Sequence, residues 1–119
     1  KHMQDTMKHI NSKGVEYPLV FNLNVMEKIQ EKYGSYEKWG DLTDGKASEI
    51  NIGALKFGIL EMINEGIDIE NEGKENKREF LTDKQVGRIV TDIGMEALAE
   101  KMKETVIDST KNDEEVKNV

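Results

Sequence analysis

The sequence predicts an α+β domain, mostly α, in which a short N-terminal β-hairpin packs on about five helices. Three observations predict it. Apolar residues recur at helical spacing in several separate stretches after residue 22. Ahead of them the turn-forming run Asn11-Ser12-Lys13-Gly14 divides two short β-prone segments. The length, 119 residues, fits one domain with one modest core.

The hairpin is expected over residues 7–21. Met7 to Ile10 forms the first strand and Val15 to Phe21 the second, with Gly14 free to take positive φ in the turn. Pro18 lacks an N–H for a ladder, so the second strand is an edge or is interrupted there. Asn22 caps a first helix over 23–33, with Leu23, Met26, Ile29 and Tyr33 on one face and Glu27, Lys28, Glu31 and Lys32 opposite. Gly34 stands where a left-handed C-cap belongs. Ser35 caps a short helix of about 36–41 carrying Tyr36 and Trp39, and Gly40 to Lys46 is a loop.

A third helix is expected over about 51–65, inward along Ile52, Leu55, Ile59, Met62 and Ile63 and ended by Gly66. Residues 67–79 are a charged loop. Thr82-Asp83-Lys84-Gln85 has the form of a capping box and opens a fourth helix with Val86, Ile89, Val90 and Ile93 inward. Gly94 breaks it, and a fifth helix runs to about residue 109 with Leu98, Met102 and Val106 on its apolar stripe. The domain is thus placed at 7–110, with flexible termini at 1–6 and 111–119 and a cloning scar at Lys1-His2-Met3.

Composition narrows the function classes. Charged residues are 34% of the chain, hydrophobic residues 36%, and the net charge is −7. Residues 67–119 carry 9 basic and 14 acidic groups against 8 and 10 in residues 1–66. A phosphate backbone is repelled on average, so no nucleic-acid partner is expected. Without cysteine there is no disulfide and no thiolate metal site. No apolar run approaches a bilayer span and no leader is read at the N-terminus, so a cytosolic protein with no membrane partner is expected.

Catalytic constellations are poorly supported. The only histidines, His2 and His9, sit in the N-terminal arm, a weak mount for a catalytic base. With 24 acidic residues, close carboxylate pairs arise by chance, and pairs such as Glu61 and Glu65 read as solvated surface. A helix-turn-helix over 82–106 is opposed by Glu96, Glu100 and Glu104 on the face that would meet DNA. No enzyme activity and no cofactor are expected.

The sharpest metal-like register is that of an EF-hand loop. Asp68, Glu70 and Glu72 fall at its first, third and fifth positions, Gly73 at the sixth and Glu79 at the twelfth. Against it stand glutamates where aspartate fits better, Glu75 at a normally apolar position, and a following helix that starts only after Thr82. A calcium-binding regulatory module using this loop is therefore an alternative reading. A small acidic host regulator or inhibitor is another.

Three aromatics are candidates for a partner surface: Tyr36, Trp39 and Phe57. Phe57 lies about 140° from Ile52 on the wheel of the third helix, so it either packs against the first helix or the hairpin, or stands exposed as an anchor. The six methionines suit an adaptable binding surface or gap-filling in the core.

The order of segments resembles a known family. A hairpin leads into Tyr17-Pro18-Leu19-Val20-Phe21-Asn22-Leu23-Asn24, and a helix closes on Ile29-Gln30-Glu31-Lys32-Tyr33-Gly34-Ser35. An apolar helix ending Asn64-Glu65-Gly66, a charged loop, and Leu81-Thr82-Asp83 opening a helix pair follow. Over about residues 7–108 this is similar to the tail assembly chaperones of long-tailed phages and prophages. The resemblance implies a non-enzymatic protein in the host bacterial cytoplasm. Its implied partners are the hydrophobic tape-measure protein, the tail-tube protein and further copies of itself. It transfers no catalytic residue and no binding motif.

Overall fold

The computed structural model describes residues 7–44 and 49–118, with side chains described as far as Lys111. Its elements are β1 (Lys8–Ser12), β2 (Val15–Leu19), α1 (Leu23–Tyr33), α2 (Tyr36–Thr43), α3 (Ile52–Asn71), α4 (Asp83–Ile93) and α5 (Met95–Asn118). The chain is α+β and mostly α, with a two-stranded antiparallel hairpin at its N-terminal end. The expected scar at residues 1–3, the terminus at 1–6 and part of the loop after α2 lie outside the described residues.

The hairpin turns on two residues, not four. Lys13 and Gly14 take φ of 53° and 81°, and Ser12 pairs with Val15. Two successive positive φ values match the right-handed twist of the strands. The Asn11 side-chain carbonyl accepts from the Gly14 N–H at 3.2 Å, which holds the turn closed. Pro18 stands opposite His9 and is buried, whereas His9 is exposed, with its Nε2 3.5 Å from Glu70 Oε2.

α3 is the element that β2, α1, α2, α4 and α5 all pack against. Leu55, Ile59, Met62, Ile63 and Ile67 are fully buried along it. It runs to Asn71, past the expected stop at Gly66. Gly66 lies inside the helix because the hairpin needs its missing side chain: a Cβ there would come 2.7 Å from Pro18 Cβ. Close approach, not helix termination, explains this glycine. Beside it the Val20 N–H donates to the Met62 carbonyl at 3.2 Å, tying the end of the hairpin to the helix.

The caps explain most other boundaries. Asn22, Ser35, Asn51 and Thr82 each accept a backbone N–H from the first turn of the following helix. Thr82 and Gln85 close a full capping box. Gly34 and Gly94, at φ of 91° and 106°, end α1 and α4 with their N–H groups on the Gln30 and Val90 carbonyls. Two ends differ from expectation. α2 continues through Gly40 to Thr43, and α5, expected to stop near 109 with a frayed tail, stays helical to Asn118.

Two inward assignments fail for the same reason. Leu23 and Ile52 are 68% and 56% exposed. Each occupies the first position of its helix, ahead of the first residue packed on a neighbour, Val25 in α1 and Ala54 in α3.

Candidate protein-binding groove

The short helix α2 forms because Ser35 caps it and Tyr36 and Trp39 fall three residues apart on one side. The Trp39 ring is buried, and its indole N–H donates to the Ala54 carbonyl at 3.0 Å. α3 admits the ring because residue 58 is glycine: a Cβ there would stand 2.5 Å from Trp39 Cζ2 and 3.0 Å from Met102 Sδ. Phe21, Tyr36 and Trp39 form a ladder with centroid separations of 6.0 and 6.1 Å. Burial raises the Tyr36 phenol above its ordinary value, because desolvation penalises the charged form.

Across from α2 stands α5. Tyr36, Trp39 and Thr43 on one side, and Ala99, Met102, Val106 and Ile107 on the other, line a groove of about 250 Å³. Its floor is the Trp39 ring and Met102, both buried, and its lip is Ile107, 51% exposed. Asp41, Asp44 and Lys103 also line it. The arrangement is a small apolar trough edged by two carboxylates and one ammonium, suited to receiving an apolar side chain.

The three aromatics expected at a partner surface part company. Tyr36 and Trp39 share the groove, but Trp39 is floor and not an exposed anchor. Phe57 lies away from it. Its ring meets Tyr33 edge-on at 5.8 Å, with Lys32 Nζ 5.0 Å from its centroid, so it packs on α1. The residues that sequence reasoning missed are on α5. Val106 belongs to the expected buried stripe, and the adjacent Ile107 widens that stripe into solvent, the one signal the sequence offered.

The calcium-loop register does not survive. Asp68 and Glu70 lie on α3, so the first four of the twelve loop positions are helix, whose backbone cannot wrap a cation. Among the described residues, no group of three or more His, Asp or Glu side chains is placed to hold a metal ion. The segment 72–81 has another organisation. The Asn71 amide donates to the Arg78 carbonyl at 2.8 Å and accepts from its N–H at 2.9 Å. Two turns earlier on the same face, Asn64 does the same to Leu81, at 3.1 and 2.8 Å. Two asparagines seven apart thus staple an irregular segment back along the helix.

Nor are Glu61 and Glu65 plain solvated surface. Glu65 Oε2 accepts from Asn22 Nδ2 at 2.8 Å and Asn24 Nδ2 at 3.0 Å, anchoring the start of α1. Partial burial raises the Glu61 carboxyl above the usual carboxylate range, Lys28 pulls it down, and Glu65 pushes it further up. Glu96, Glu100 and Glu104 are exposed on α5, as expected. Among the described residues, no helix is long and apolar enough to cross a membrane. Comparison with protein-family models, with curated proteins and with solved structures finds no match for this chain.

Proposed function

We propose that this chain is a non-enzymatic chaperone or scaffold of phage tail assembly, acting in the host cytoplasm by binding the tape-measure protein. The observation that carries the reading is the groove between α2 and α5, a ready-made apolar trough on an otherwise highly charged molecule. The order of segments described above, similar to tail assembly chaperones, supplies the partner. An apolar helix of the tape-measure protein seats a side chain against Trp39 and Met102, and Ile107 closes over it. The surrounding acidic surface keeps the complex dissolved.

The test is co-expression with the tape-measure protein of the same genome, followed by size-exclusion chromatography with light scattering. The expected outcome is co-elution, with the partner soluble only when this chain is present. Ile107→Asp, at an exposed position, should leave circular dichroism unchanged and abolish co-elution. A partner that stays insoluble beside a free 13.6 kDa species removes the reading.

A further inference from the structure

A second concavity of about 750 Å³ lies between the hairpin turn, the first turns of α3 and the outer side of α4. Lys13, Ile52, Lys56, Lys84, Gly87 and Arg88 are among its lining residues. On a chain of net charge −7, four cations here face one carboxylate, Asp92. Asp92 is already engaged: its Oδ2 accepts from Ser12 Oγ at 2.8 Å. Lys56 Nζ is held by Asp83 Oδ2 at 2.9 Å. Lys13, Lys84 and Arg88 make no ion pair among the described residues.

The geometry favours a particular kind of guest. Lys84 and Arg88 are one helical turn apart on α4 and both exposed. That spacing matches carboxylates four residues apart on a facing helix. Gly87, on the same helix, leaves the floor open between them and Lys56, whose Nζ would lie 3.4 Å from any Cβ added there. Ile52, 56% exposed, offers an apolar contact at the edge. A long polyanion is disfavoured by the overall charge, and it has no use for the isoleucine.

We infer that this cleft docks an acidic segment of a partner protein, with carboxylates on Lys84 and Arg88 and an apolar side chain against Ile52. The cleft shares no lining residue with the α2–α5 groove, so the inference stands or falls apart from the tape-measure reading.

The probe is a fluorescein-labelled helical peptide with glutamates four residues apart and a leucine beside each pair, titrated into the whole chain by anisotropy. A glutamine version of the peptide and a single-stranded oligonucleotide of equal charge run alongside. The acidic peptide should bind, more weakly as salt rises. Lys84→Glu with Arg88→Glu should weaken it about tenfold or more, and Ile52→Ser about threefold, with circular dichroism unchanged. If the double reversal unfolds the chain, Lys84→Gln with Arg88→Gln is read in its place. Equal binding of the glutamine peptide, or binding indifferent to these substitutions, overturns the proposal. An oligonucleotide bound as tightly makes the cleft a general polyanion site and overturns it too. So does self-association of the unlabelled protein in sedimentation that the double reversal abolishes, because the occupant is then a second copy.

Discussion

Two faces of α3 are fastened by different physics. On one, Asn64 and Asn71 each exchange two directed hydrogen bonds with the backbone of Leu81 and Arg78. On the other, Gly58, Trp39 and Met102 meet by shape, with the indole N–H on Ala54 as the directed bond of the Trp39 side chain. Directed bonds fix the path of a segment that has no regular structure of its own. Shape packing fixes which side chains touch but leaves a trough between α2 and α5. The stapled segment has its backbone held by the two amides, and the packed face keeps an apolar trough that an apolar partner side chain can enter.

The contrast is tested most severely at Trp39. Trp39→Ala removes a buried ring and should cost about 3–5 kcal/mol, read as a large drop in the urea midpoint. Trp39→Phe keeps most of the packing and removes the indole N–H from the Ala54 carbonyl, which keeps its place in the α3 hydrogen-bond ladder, and should cost about 1 kcal/mol. A next step down is the stapled face. Asn64→Ala strands the N–H and carbonyl of Leu81 and should cost about 1–3 kcal/mol, with faster hydrogen exchange at Leu81. If exchange there is unchanged, the amide does not direct the segment and the contrast between the faces collapses.

The mildest change is at Glu61. Its carboxyl titrates above the ordinary value in the folded chain, so the folded state binds the extra proton. Stability is then greatest below the ordinary value and falls as pH rises through the raised one. Glu61→Gln should remove that fall, giving a higher Tm than wild type at neutral pH and a converging Tm in acid. Parallel Tm curves across that range would show that burial does not strain this carboxyl.

What was legible in the sequence was mostly local. Asn22, Gly34, Ser35, Thr82 with Gln85, and Gly94 each act on neighbours within a turn, and each helix boundary they mark is where their chemistry puts it. What was not legible depends on residues far apart in sequence. Gly66 has the local signature of a stop, and only the presence of Pro18 across the helix makes it a contact point. Asp68, Glu70 and Glu72 have a loop-like register, but nine buried positions keep α3 helical through Asn71. The asparagine staples left no pattern, because an amide facing a backbone segment looks the same as one facing water. Of the candidate aromatics, the sequence brought Tyr36 and Trp39 together through their spacing. It could not separate Phe57 from them, since that depends on which helix covers each face.

Pro18 and Gly66 restrict how this protein can drift. The ring of one occupies the volume that any side chain at the other would need, with Pro18 Cγ only 2.8 Å from the missing Cβ. The nearer obstacle is Pro18 Cβ at 2.7 Å, an atom that every residue but glycine keeps, so exchanging the proline does not by itself make room for a side chain at 66. Position 66 is therefore closed to change for as long as the hairpin lies this close to the helix, whatever residue stands at 18.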